Sequence, residues 1–224
     1  VEFIDVETGS VLSAQKQLNT ARAQHEAVLM GDGSTIWIIG GHDGSEAIAS
    51  TEYIEIASGS TAIRSGPSLQ EARFAAEALR IEPGEGKNVV VIGGYTSLDG
   101  EVTGSFELSR LNQGMFVSEA SWSLNTPRGN LRAVELPQTN NIVVLGGRDS
   151  GGGSVASGEI LTFEGLTAQP PYVVSESRNG SYNQRSDFAV TRLSTGNLLM
   201  TGGIGSDQGQ ITTLRVAEYF NPYD

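Results

Sequence analysis

The chain contains no cysteine. Disulfides, thiolate metal sites and cysteine nucleophiles are therefore excluded, while the compartment stays open, because secreted proteins also dispense with cysteine. Positive charge is scarce: 14 lysines and arginines stand against 26 acids, a formal net charge of −12. A nucleic-acid backbone or an anionic lipid surface is held by clustered cations, so neither is an expected partner. A basic partner, a cationic ligand or a metal ion meets no such barrier. There are only two histidines, His25 and His42, so a three-histidine zinc site is impossible, and they lack the spacing of a zincin pair. No apolar run approaches the ~20 residues that a membrane-spanning helix needs. No signal peptide is visible, and the chain opens on the strand-like "VEFIDV". Localisation is accordingly not assigned; a secreted or cell-surface protein with residues upstream of Val1 fits as well as any other.

What the chain has in abundance is glycine, 29 residues in 224. Much of it falls in a pattern. "IWIIGGHDG", "VVVIGGYTS", "IVVLGGRDS" and "LLMTGGIGS" each run an apolar, β-favouring stretch into a glycine pair. The pairs are Gly40-Gly41, Gly93-Gly94, Gly146-Gly147 and Gly202-Gly203, spaced by 53, 53 and 56 residues. A strand interior disfavours glycine, so a repeated pair marks the place where each strand must end in a sharp turn. A period of this length is the mark of a repeat architecture.

Four pieces recur in order within each unit. An arginine leads into an inner strand a: "ARAQHEAVLM", "ARFAAEALRI", "PRGNLRAVEL" and "QRSDFAVTRL". A polar turn follows, then strand b with its diglycine, a variable loop, and strand c: "STEYIEI", "GSFELSR", "SGEILTF" and "VAEYFNP". A run d ("STAIRSGPSL", "GMFVSEASW", "AQPPYVV") leads back to the next arginine; two prolines in the third suit an outer edge. The first two a segments also have helix-friendly composition. Their counterparts in the third and fourth units do not, so all four are read as strands. Short strands in fours at this period predict an all-β propeller of four-stranded antiparallel blades, a single domain over residues 1–224. Stacking blades around an axis would bury both faces of each small sheet.

Arginine, an apolar b strand, a diglycine and then glutamate-aromatic on strand c resemble the Kelch repeat. The likeness is greatest to its bacterial variety, whose c strand is echoed in "TEYIEIASGS", "VEFIDVETGS" and "AEYFNPYD". It covers essentially the whole chain. The tryptophan that the family carries on strand d is irregular here: Trp122 fills that place once, and Trp37 sits on strand b instead. Residues Val1–Arg22 align with Glu52–Arg73, so the chain opens on c and d strands and closes on a, b and c. The favoured arrangement is a closed ring of four blades, with the N-terminal d strand completing the last blade and Val1–Val6 displaced or at an edge. Five blades, or a truncated larger ring, are the alternatives.

Arg22, Arg73, Arg128 and Arg185 hold one place in the repeat; Glu2, Glu52, Glu107, Glu159 and Glu218 hold another. A charge present in every unit points to architecture, because catalysis is asymmetric, and each arginine is expected to hold a glutamate or a loop carbonyl near the blade junction. Ligand-binding groups are expected where the repeats differ, in the b–c loops: His42, Asp43, Tyr95, Asp99, Arg148, Asp149 and Asp207. The plainer reading makes those loops solvated turns. No metal site is assigned and no cofactor is required; rim carboxylates offer a weak case for Ca²⁺, without a "DxDxDG" loop. His25 is expected near the channel as a packed histidine, and His42, on the rim, is the better site candidate. "GGGS" at 151–154 lacks the GK[ST] ending of a phosphate loop.

The Kelch resemblance implies two enzymatic precedents. The galactose oxidase type requires a Tyr–Cys crosslink, which this chain lacks. The mutarotase type uses acid/base side chains over the channel, and no constellation in the sequence singles it out. The expected function is therefore a non-catalytic binding or interaction module, presenting b–c and d–a loops on one face to a protein partner or a small glycan. A carbohydrate-acting enzyme or lectin-like domain using the same face and channel is the alternative. A purely structural domain within a longer surface protein is a third. Oligomeric state is not read from the sequence.

Overall fold

The computed structural model describes residues 3–12, 16–57, 60–81, 88–110, 115–117, 122–136, 139, 141–164, 167–168, 172–174, 183–207 and 210–222. It is all-β. A hairpin of β1 (Phe3–Ile4) and β2 (Val11–Leu12) comes first. Blade 1 follows, with β3 (Glu26–Leu29), β4 (Thr35–Ile39), β5 (Thr51–Ala57) and β6 (Ser60–Ser65) side by side in that order. Blade 2 repeats the order with β7 (Glu77–Ile81), β8 (Asn88–Ile92), β9 (Phe106–Arg110) and β10 (Met115–Val117). Blade 3 has β11 (Arg132–Leu136), β12 (Asn141–Leu145) and β13 (Gly158–Glu164), with β14 (Thr167–Ala168) and β15 (Tyr172–Val174) both pairing β13. A small sheet then joins β16 (Arg185–Ser186), β19 (Ile204–Asp207) and β20 (Gln210–Thr213), while blade 4 is β17 (Ala189–Arg192), β18 (Leu198–Thr201) and β21 (Ala217–Phe220). All pairings are antiparallel.

The inner strands β3, β7, β11 and β17 lie next to one another in that sequence, which makes the sheets blades around a common axis. Alternation along strand b explains the packing. Trp37 and Ile39 of β4 meet Val89 and Val91 of β8 in one buried cluster. Val90 and Ile92 of β8 meet Ile142 and Val144 of β12 in the next, and Val143 and Leu145 meet Leu198 and Met200 of β18 in the third. In β8 and β12 one side of the strand faces the previous blade and the other the following one, so these strands are apolar on both faces.

Two expectations change. Strand β2 pairs β1, and not the fourth blade, whose sheet has three described strands. The fourth b–c loop, "IGSDQGQIT", is a β-hairpin rather than an irregular turn. Glu2 and the proline pair at 170–171 lie outside the described residues.

A single recurring interaction stitches each unit. In blade 3 the Arg128 Nε donates to the Thr126 carbonyl (3.0 Å), Nη1 donates to the carbonyls of Gly146 (3.1 Å) and Ser157 (2.6 Å), and Nη2 donates to Ser157 Oγ (3.2 Å) and Glu159 Oε1 (2.7 Å). Glu159 in turn accepts from the Asn125 and Thr126 amides. Arg22 and Glu52 reproduce the set around Gly40 and Ser50, and Arg73 and Glu107 around Gly93 and Ser105. Arg185 bonds the Gly202 carbonyl and Glu218, with Val216 where the other units have serine. The guanidinium side chains are at most 1% exposed. One clamp thus ties the chain arriving from the previous blade, strand c and the end of strand b.

The diglycine carries the clamp to the next blade. Gly41, Gly94 and Gly147 donate their amides to the carbonyls of Arg73, Arg128 and Arg185, each at 2.9 Å. The preceding glycines are left-handed, with φ of 64° at Gly40 and 60° at Gly93, and a Cβ there would sit 2.5 Å and 2.6 Å from the same carbonyls. Only glycine meets both demands. Breaking a buried ion pair from one side strands a charge, so Arg128→Ala and Glu159→Ala should each lower unfolding free energy by about 3–5 kcal/mol. Because they share one network, urea denaturation of the double variant should show a loss well short of the sum.

Candidate functional site

Just past each arginine the backbone takes a strained step. Gln24, Ala75, Asn130 and Asp187, each two residues on, have φ of 51°, 47°, 51° and 54°. This region is uncommon for residues other than glycine, and alanine has no side-chain hydrogen bond to favour it. The steps are linked: the Ala75 amide donates to the Gln24 carbonyl (3.0 Å) and the Asn130 amide to the Ala75 carbonyl (2.9 Å). They form a collar where the inner strands begin.

Around the collar runs a row of side chains. The residue after each arginine bridges the residue after each diglycine: Ala23 with His42, Phe74 with Tyr95, Gly129 with Arg148, and Ser186 with Ile204. His42, Tyr95 and Arg148 also rest on the next blade. The His42 ring meets Phe74 edge-on at 4.9 Å, and Phe74 stacks on Tyr95 at 5.4 Å. Tyr95 lies over Gly129, where any Cβ would collide with its ring. Arg148 Nε donates to Ser186 Oγ (2.8 Å), and Nη2 lies 3.4 Å from Asp187 Oδ2. Phe74 is buried, Tyr95 and Arg148 are half-buried, and Asp187 is exposed. Burial pushes the Tyr95 phenol up, with Arg148 opposing.

Of the residues proposed from sequence, the structure therefore brings His42, Tyr95 and Arg148 into one row. Asp43 accepts from the amides of Ser45 and Glu46 and from Ser45 Oγ, which hold its carboxyl at about 2. Asp149 accepts from the amides of Gly151 and Gly153, so "GGGS" is a turn closed by its own carboxylate. Asp99 is exposed in its loop, and Asp207 ends β19 with its side chain outside the described residues. Among the described residues no three acids or histidines converge as metal ligands. His25 is half-buried, three residues after Arg22, where Ala76, Leu131 and Phe188 of the other units pack in blade junctions; burial, then Arg22, lower its pKa.

Sequence reasoning missed a second group. The first residues of β3, β7 and β11 are Glu26, Glu77 and Arg132, four positions after the repeat arginine. Arg132 Nη1 lies 3.4 Å from Glu77 Oε2, and its Nε donates to the Phe188 carbonyl at 3.0 Å. Burial raises Glu26 to about 7 against the pull of Arg132. Burial, and then the Glu26 carboxylate, raise Glu77 to about 8. Near neutral pH this pair holds protons that ordinary carboxylates would have lost. A charged residue at one repeat position in three of four units was the available signal.

No family model matches the chain, and no curated protein matches it. Solved structures do. The chain is similar to the structure of YjhT, a Kelch-repeat protein, with a TM-score of 0.67 at 9% sequence identity over 88% of this chain and 62% of that one. The match spans less than two-thirds of that protein's length. At such identity the likeness establishes the fold alone: a Kelch-like propeller.

A carboxyl whose folded pKa is raised stays protonated longer in the native state than in the unfolded chain. Stability attributable to Glu26 and Glu77 is full below about 4.5 and falls as pH rises through about 7 and 8. Glu77→Gln should therefore raise the thermal midpoint at pH 9 and leave it nearly unchanged at pH 4, checked by calorimetry across that range.

Proposed function

We propose that this propeller is a non-catalytic binding module that takes its ligand on the face carrying the b–c loops, across Tyr95 and Arg148. One observation carries the reading: the row of His42, Phe74, Tyr95, Arg148 and Asp187, supplied by successive blades, with Gly129 beneath the Tyr95 ring and bridged to Arg148. An aromatic face beside a guanidinium–carboxylate pair suits an aromatic or cationic side chain of a protein partner, or the ring of a small glycan. Backbone bridges fix these groups before a ligand arrives, which lowers the ordering cost of binding. Asp43 and Asp149 serve their own turns, which favours the row over these loop carboxylates as the place of recognition.

A second reading, a carbohydrate-acting enzyme, draws on Glu26, Glu77 and Arg132. Two carboxyls raised towards neutrality by burial beside a guanidinium have the properties of an acid/base pair. The collar places them at the start of the inner strands, one step below the row.

Thermal shift against a panel of soluble glycans and basic peptides separates the two. A ligand that binds only the folded protein must raise the midpoint. The binding reading expects the rise to disappear in Tyr95→Ala and Arg148→Ala, with the ligand recovered unaltered. A ligand that binds Tyr95→Ala as well as the parent contradicts it. A sugar converted by the parent protein and not by Glu77→Gln establishes the second reading instead.

A further inference from the structure

A continuous set of contacts joins the charged residues at the start of the inner strands to the rim row. Glu26 of β3, Glu77 of β7 and Arg132 of β11 pair across their strands with Ile39, Ile92 and Leu145. Cross-strand partners share a face of the sheet. Those three apolar residues belong to the clusters that join each blade to the next. Glu26 is therefore turned towards blade 2, Glu77 towards blade 3 and Arg132 towards blade 4. Arg132 Nη1 lies 3.4 Å from Glu77 Oε2, and Arg132 Nε donates to the Phe188 carbonyl at 3.0 Å. Phe188 follows Asp187, which holds a φ of 54° and whose Oδ2 lies 3.4 Å from Arg148 Nη2. One path thus leads from a carboxyl on blade 2 to the Arg148–Asp187 end of the row.

The charges along this path are uneven. Beside Glu77, β3 brings Glu26, β11 brings Arg132 and the paired strand β8 brings Ile92. Two carboxyls therefore share one guanidinium, and Ala189 holds the fourth place. Arg132 Nη1 also donates to the Leu131 carbonyl at 2.9 Å. The remaining charges on these strands stand elsewhere. Arg80 pairs with Val89 on the opposite face of β7, and Glu135 lies three residues beyond Arg132, towards the other end of β11. His25, next to Glu26, is turned to the opposite face of its strand. An ionised Glu77 gives Arg132 a charged partner, and a protonated one gives it a neutral acceptor, roughly half as strong. Burial, and then the Glu26 carboxylate, place that change at about 8.

We propose that ionisation of Glu77 fixes Arg132 against the Phe188 carbonyl and thereby sets the Arg148–Asp187 end of the row, so that the rim surface is regulated by pH. Arg132 is a positioning residue: it touches the backbone beside Asp187 and acts on the row through it. This rests on the reading of the row as the binding surface, and it gives that surface a regulator. The row is best ordered above the Glu77 transition. Global stability moves the other way, because the folded chain gives up the Glu77 proton less readily than the unfolded one. A rim that tightens while the protein as a whole weakens is not a by-product of unfolding.

Carbon-detected NMR of the whole chain, titrated from about pH 5 to about pH 9.5, tests this without any ligand. The Glu77 carboxyl carbon reports the ionisation, the Phe188 carbonyl carbon reports its bond from Arg132, and Arg148 Cζ reports the end of the row. In the parent protein all three should shift with one midpoint, near 8. Glu77→Gln keeps the side chain's size and should remove the shift at Phe188 and Arg148. Glu26→Gln removes the neighbouring carboxylate and should move the common midpoint to lower pH. Arg132→Lys keeps the charge and loses the guanidinium that spans both partners. Glu77 should then still titrate while Phe188 and Arg148 no longer follow, which separates the path from the titration itself. A parent in which Phe188 and Arg148 do not follow Glu77 overturns the proposal. So does a shift that survives Glu77→Gln, or one that Arg132→Lys leaves unchanged. Because no ligand is used, failure here strikes the coupling and leaves the binding reading to its own thermal-shift test.

Discussion

The structure rests on a buried guanidinium. In every unit the arginine at the start of strand a reaches back to the carbonyl that closes strand b and across to the glutamate of strand c. A small four-stranded sheet has little interior of its own, and its apolar residues are buried only when neighbours lean on it. What the clamp adds is position. It holds the incoming chain, two strands and the diglycine in one hydrogen-bonded knot, with the charge matched by a buried carboxylate. The arginine's own carbonyl is then presented to the previous blade's glycine amide. The clamps of Arg73, Arg128 and Arg185 are therefore both the internal brace of one blade and the docking point for another.

The face that this creates follows from the same geometry. Because the arginine is fixed, the next residues bend into the left-handed collar, and the residues after the first three diglycines, His42, Tyr95 and Arg148, lie against the following blade. The side chains at that place are free to differ, since the backbone bridge needs none of them. His42, Tyr95, Arg148 and Ile204 occupy four equivalent positions with four chemistries. A symmetric scaffold thus yields an asymmetric surface, which is what recognition requires. Glu26, Glu77 and Arg132 show the same division between constant backbone and variable side chain one step along the inner strands.

Much of the fold was legible because its cause repeats. The diglycines announced strand ends, and β8 and β12 are apolar along their length because they pack on both faces. The helix-like "ARFAAEALRI" was resolved by comparison with its counterparts, and strand β7 lies at Glu77–Ile81. The ends were less legible: sequence alignment places Val11–Leu12 on a d strand but cannot say which sheet it joins, and it pairs β1. The rim was half legible. His42, Tyr95 and Arg148 were visible as departures from the repeat, but Phe74 and Asp187 sit on the neighbouring blade, a relation that only the junction geometry supplies. Asp43 and Asp149 attracted notice as carboxylates, and composition alone does not reveal that their oxygens are occupied by amides two to four residues on.

Native-state hydrogen exchange at the diglycines tests the central claim most directly. If the arginine carbonyl of each following blade secures the sheet before it, the amides of Gly41, Gly94 and Gly147 should exchange only with global unfolding. Exchange of these three at the rate of an unprotected amide would contradict the account, because the blades would then be held together without the contact on which everything else has been built.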